Sequence, residues 1–178
     1  LVGDEQIEQD APQTDRPADA ARLGGRRRSR ELALQVLYQL DMTGEQDWRT
    51  AFDLFCGSFE APEPLKDFAM RLVEGVRANM ERIDVLMREH SENWRLERMS
   101  RVDRNILRMA VFELLYCEDI PPRVTLNEAV DLGKRYGTEE SGAFINGVLD
   151  NIYKATRGAG ENEPAVDVGP GEPEGPQG

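Results

Sequence analysis

An all-α fold is predicted for this chain by three observations. Apolar residues recur at i, i+3, i+4 and i+7 in one segment after another, and no stretch alternates apolar with polar residues as a half-buried strand would. Glycines, prolines and Ser, Thr or Asp caps punctuate those segments at helical lengths. About seven helices joined by short turns are expected.

The first is expected from about Arg26 to Met42, with Ala33, Val36, Leu37 and Leu40 as its buried stripe and Gly44 as its stop. Asp47 is placed to cap a short second helix carrying Phe52, Phe55 and Phe59. Pro62 and Pro64 break the chain before a third, from about Leu65, which should bury Phe68, Leu72, Val73 and Val76. The fourth segment carries Met80, Ile83, Leu86 and Met87.

Ser100 and Asp103 read as a capping box for a fifth helix that is apolar on almost every side, from Ile106 to Leu115, which places it at the centre of the fold. Ile120-Pro121-Pro122 ends it, and Thr125 with Glu128 reads as a capping box for a sixth helix that stops at Gly137. Ser141 opens a seventh, with Ile145, Val148, Leu149 and Ile152 facing inward. Gly133 and Gly147 lie inside the last two helices, where glycine costs about 1 kcal/mol relative to alanine. Close helix crossing is the expected compensation.

Residues 1–24 and 158–178 are acidic and rich in proline or glycine, with too little apolar surface to offset the entropy of ordering, and are expected to be disordered. Residues 25–157 remain as one domain. The formal net charge of −12 comes mostly from these tails, since the middle holds 20 bases against 23 acids. Cys56 and Cys117 are far apart in apolar surroundings with no signal-like run before them, so a reduced, cytoplasmic setting is expected. His90 is the single histidine and no CxxC occurs, so neither a metal nor another cofactor is expected.

Arg26-Arg27-Arg28-Ser29-Arg30 is the most informative segment. Four guanidiniums within five residues repel one another and gain most from a polyanion. A solvated helix end is the bland alternative, but cations at a helix N-terminus oppose the macrodipole, so an outside counter-charge such as phosphate is expected. Arg101, Arg104 and Arg108 form a second row, for which pairing with Asp103, Glu113 or acids on neighbouring helices is the simpler reading. Tyr38 lies outside the first helix's stripe beside Leu34, and either a larger core or a docked protein would cover it. Phe144, beside the core position Ile145, reads by itself as core, with stacking on an unpaired base as the alternative.

No enzyme signature is present. Gly137 and Gly142 have the separation of a P-loop's glycines, but Ala143 and Phe144 stand where lysine and Ser/Thr are required. Neither GxSxG nor GxGxxG occurs, and nothing gives His90 a base or metal role.

With these motifs in view, the chain resembles the NusB family of bacterial transcription antitermination factors. The likeness runs from about Arg26 to Tyr153 and rests on RRRSRELALQVLYQLD, DRNILRMAVFELLY and NEAVDLGKRYGTEESGAFINGVLDNI. The resemblance implies two packed three-helix subdomains and a non-catalytic, RNA-binding factor. It implies binding of single-stranded boxA RNA together with the ribosomal protein NusE, in an RNA polymerase complex that passes terminators, notably in ribosomal RNA operons. Carried over by position, the RNA site would hold Arg26, Arg27, Arg28, Arg30, Glu140 and Phe144, which favours the stacking role of Phe144. Tyr38, Glu97 and Asp103 would face NusE. Gly142 and Ala143 replace basic residues that often surround the family's RNA site, so RNA affinity without a partner is expected to be modest. A monomer or homodimer fits this reading. A recruiting domain for an rRNA-modifying enzyme, or a protein-binding bundle without RNA specificity, is the rival.

Overall fold

Helical periodicity becomes seven α-helices and one 3₁₀ turn among the described residues of this computed structural model, which are 17–58, 63–91 and 96–160. The side chains of 17–24, 58, 97 and 157–160 lie outside them as well. The helices are α1 (Pro17–Thr43), α2 (Trp48–Ser58), α3 (Glu63–Ala78), α4 (Met80–His90), α5 (Arg101–Tyr116), α6 (Pro122–Tyr136) and α7 (Ser141–Gly160). The turn is Leu96–Arg98.

α1 starts nine residues earlier than its buried stripe suggests. Proline is tolerated in a first helical turn, and Ala18, Ala20 and Ala21 behind Pro17 have high helix propensity. Residues 17–24 are therefore helical, which corrects the expectation of disorder there, as do 158–160 at the end of α7. Expected disorder in 1–16 and 161–178 lies outside the described residues. α1 ends at Gly44, whose φ of 70° favours glycine and whose N–H donates to the Leu40 carbonyl at 2.9 Å.

Asp47 caps α2 as expected, accepting from the Thr50 N–H at 3.1 Å and the Thr50 hydroxyl at 2.7 Å. Phe52 is buried and Phe55 half-buried, while Phe59 lies outside the described residues. Ser100 accepts from the Asp103 N–H at 3.0 Å and so caps α5. The expected return bond is not made by Asp103 Oδ1, which is buried without a partner among the described residues. The box expected at Thr125 is replaced by an earlier start at Pro122: Thr125 is buried inside α6 and donates to Glu113 at 3.1 Å.

α1, α2 and α3 pack together as one unit, α5, α6 and α7 as the other, and α4 bridges them against α3, α5 and α7. α5 is the centre, in contact with α1, α3, α4, α6 and α7 and buried from Asn105 through Glu113. Two glycines permit close approach. A Cβ on Gly133 would stand 2.6 Å from Ile145 Cδ1, and one on Gly75 would stand 2.0 Å from the ring of Phe112. Gly147 does not share this role, since nothing lies within 4 Å of its Cβ position.

Cys56 and Cys117 are free and buried, and burial pushes the Cys117 thiol up to about 11. The thiolate is the reactive form. A chromogenic disulfide reagent at neutral pH should therefore label neither cysteine of the native chain until urea opens the fold; rapid labelling of Cys117 without denaturant would contradict its burial.

Candidate nucleic-acid interface

The four arginines do not sit at the mouth of a helix. With α1 beginning at Pro17, they lie more than two turns inside it, beyond the first turn where the macrodipole acts. Three of the four, Arg26, Arg27 and Arg30, find counter-charges within the fold, from α5, α6 and the turn between them.

Arg30 is 3 % exposed and forms a two-pronged pair with Glu113 of α5, at 2.7 Å through both Nε and Nη2. Buried and paired on both forks, it differs from the open RNA-facing cation expected at this position. Arg26 donates to Asp119 at 2.8 Å in the α5–α6 turn. Arg27 reaches α6, donating to Glu128 at 3.1 and 2.8 Å and to Asp131 at 2.8 Å, yet its side chain stays 47 % exposed. Arg28 differs from all three: it is exposed and has no ion pair among the described residues.

α6 connects this end of α1 to the start of α7. Beyond Asp131, which holds Arg27, the next turn carries Lys134, and Arg135 pairs with Glu31 at 2.6 Å. The turn after α6 is closed by the Thr138 N–H donating to Ser141 Oγ at 2.8 Å and the Ser141 N–H donating to the Thr138 carbonyl at 3.1 Å. Glu140 is exposed there, and its carbonyl accepts from the Phe144 N–H at 3.0 Å. Phe144 is half-buried and packs against the core, so it is neither a wholly buried nor a wholly solvent-facing ring.

Lys134 was not singled out by the sequence. A Cβ on Gly142 would stand 2.8 Å from Lys134 Cγ and 3.3 Å from its Cε, so the lysine stem lies over that glycine. A cation from α6 thus stands where Gly142 and Ala143 supply none. Only the crossing of α6 with α7 reveals it.

The second arginine row turns inward. Arg108 forms a two-pronged pair with Asp84 of α4 at 2.8 Å, and Arg104 pairs with Asp41 of α1 at 2.5 Å. Their partners are acids of neighbouring helices, not Asp103 or Glu113. Arg101 alone of the row is exposed. Asp41 is held below the usual carboxylate range: burial opposes its charge, and Arg104 and Arg108 outweigh that.

Tyr38, 40 % exposed, opens onto an apolar cleft of about 370 Å³ lined also by Leu34, Phe55, Val102 and Tyr136. Leu34 itself is buried, so the exposed large apolar side chains of α1 are Tyr38, at this cleft, and Met42, outside its lining. Asp103 follows Val102 but is 8 % exposed, which corrects its expected place on an open surface. Glu97 lies in the 3₁₀ turn, with its side chain outside the described residues.

The NusB family model matches residues 27–154. The chain belongs to the NusB family. Its relatives carry the name transcription antitermination protein NusB. The one from Desulfatibacillum aliphaticivorans is 53 % identical over 131 residues, 74 % of this chain and 91 % of its own. The one from Myxococcus xanthus is 50 % identical over 140 residues, 75 % of this chain and 97 % of its own. Among solved structures, a T. maritima NusB superposes with a TM-score of 0.68 at 40 % identity, covering 72 % of this chain and 90 % of that one. A chain of a crystal structure described as antitermination factors NusB and NusE in complex with dsRNA superposes with the same score, 0.68, at 32 % identity over 74 % of this chain and 98 % of that one. The NusB family is one of transcription antitermination factors and not of enzymes. Among the described residues no helix is long and apolar enough to cross a membrane.

Proposed function

We propose that this chain binds single-stranded boxA-type RNA together with the ribosomal protein NusE, and thereby helps an RNA polymerase complex pass terminators, notably in ribosomal RNA operons. The observation that carries this reading is Arg28, an exposed guanidinium with no internal counter-charge among the described residues, next to the half-exposed Arg27. α6 links these to Lys134, Glu140 and Phe144. Phosphates would be gathered by Arg28 and Arg27, with Arg26 at the edge, and by Lys134. The open part of Phe144 would stack on a base, and the exposed carboxylate of Glu140 would accept from a base amino group. NusE would cover the apolar cleft at Tyr38, near Asp103 and the turn that holds Glu97. Antitermination relatives, and the similar chain described in complex with NusE and dsRNA, support the reading. A single strand is favoured here because Phe144 needs an unpaired base.

Fluorescence anisotropy with a boxA-type RNA and a scrambled control, at two salt concentrations and with or without NusE, tests it. RNA binding should be tighter with NusE, by a coupling on the order of 1 to 3 kcal/mol. Arg28→Ala should weaken binding and reduce the salt slope by about 0.7 for the lost phosphate contact. RNA binding indifferent to sequence, to NusE and to Arg28 would instead favour a protein-binding bundle that uses the Tyr38 cleft.

A further inference from the structure

On the side of α1 that meets α3, a cleft of about 450 Å³ is lined by Gly25, Arg26 and Ser29 of α1 and by Leu65, Phe68 and Arg71 of α3, with the exposed carboxylate of Asp67 also on its wall. Two guanidiniums converge beside it on one carboxylate. Asp119 accepts from Arg26 at 2.8 Å on one oxygen and from Arg71 at 3.1 Å on the other. Its side chain remains 43 % exposed and that of Arg71 42 %, so this three-membered cluster is in contact with solvent and not sealed in the core.

The aromatic floor holds the cations in place. The guanidinium carbon of Arg26 lies 5.1 Å from the centroid of the Phe68 ring and that of Arg30 lies 5.4 Å from it. Arg26 is therefore oriented by a ring as well as by an acid, and keeps its direction when the acid's attention is shared. Arg28 does not line this cleft, but as the i+3 neighbour of Gly25 on α1 it lies within one helical turn of it, so one strand can reach both.

We propose that this cleft is a second phosphate-binding subsite of the RNA interface, in which Arg26 and Arg71 together hold a phosphodiester group of the strand that Arg28 anchors, and Asp119 is the internal counter-ion that this phosphate displaces. The inference rests on the RNA-binding reading above. It adds α3 to the RNA path and makes Asp119 an antagonist of binding. A phosphate presents several acceptor oxygens to two forked donors, which a single carboxylate divided between them matches less well. An exposed ion pair of this kind contributes little to stability, so exchanging its acid for phosphate costs the fold little.

The test is the RNA titration above, repeated on the full chain with Arg71→Gln and Asp119→Asn, each checked by thermal unfolding. Arg71→Gln should weaken binding about threefold to tenfold and lower the salt slope by about 0.7, as expected for one lost phosphate contact. Asp119→Asn should act in the opposite direction, tightening binding by a similar factor and steepening the slope, because both guanidiniums lose their internal acid. Arg71→Lys should keep most of the affinity. A purely structural cluster would lower the melting temperature in both variants and leave the two slopes at the wild-type value, which overturns the subsite. Wild-type binding that depends on Arg28 but ignores both Arg71→Gln and Asp119→Asn rejects this cleft alone; absence of RNA binding by the wild type rejects the underlying reading as well.

Discussion

Arg30→Ala is expected to destabilise the fold by about 3–5 kcal/mol, because it leaves the buried Glu113 carboxylate without its cation. Both side chains are nearly sealed, at 4 % and 2 % exposure, and both forks of the guanidinium are used at 2.7 Å. Thr125 adds one further donor to Glu113 at 3.1 Å, which is too little to hold a full negative charge in the core. Urea titration would show the loss as a lower midpoint. Glu113→Gln should be less harmful, since an amide needs no counter-ion. The pair Arg30→Met with Glu113→Leu should recover most of the stability, because replacing a buried ion pair by well-packed apolar groups is often neutral. The salt slope of RNA binding, measured on the folded fraction at low urea, should be unchanged in Arg30→Ala. A reduced slope with normal stability would return Arg30 to the RNA surface.

Gly75→Ala is expected to cost about 1–3 kcal/mol, at the upper end for an overpacked crossing. Its new Cβ would stand 2.0, 2.2 and 2.6 Å from three carbons of the Phe112 ring, distances at which the ring must leave its place. That ring stacks on Tyr116 with centroids 5.4 Å apart, so moving it disturbs the contact between α3 and α5 and the end of α5 together. Phe112→Leu in the Gly75→Ala background should make the combined loss smaller than the sum of the single losses, since the smaller side chain gives the methyl room. Strict additivity in chemical denaturation would show that the ring does not limit the approach.

The buried stripes were legible before any fold was known. Leu72, Val73 and Val76 of α3 and Ile145, Val148, Leu149 and Ile152 of α7 are buried as their spacing predicts. The helix ends at Gly44 and Ser100 were legible for the same reason, because caps act on groups within four residues. Phe68 shows where this reasoning weakens. Helical spacing puts it among core residues, but it is half-buried, with two arginines over its ring.

The arginine motif separates the two kinds of knowledge most clearly. Its four members are equivalent in the sequence, and only a helix starting at Arg26 would set all of them against the macrodipole. α1 starts at Pro17 instead, and the distribution of acids over α5, α6 and their connecting turn gives each arginine a separate environment. Arg30 was drawn into the core, Arg26 and Arg27 were partly neutralised, and Arg28 was left exposed.

By itself, the sequence determined the all-α class, the buried faces, the acid balance of the flanks and the family, because each follows from local periodicity, composition or motifs read along the chain. Only the tertiary structure decided which arginines are structural, that Lys134 lies over Gly142, and that Arg26 and Arg71 share Asp119. Those pairings join residues 8 to 93 positions apart, as Lys134 to Gly142 and Arg26 to Asp119 show, and the charge on a side chain does not record which opposite charge the packing of other helices will bring to it.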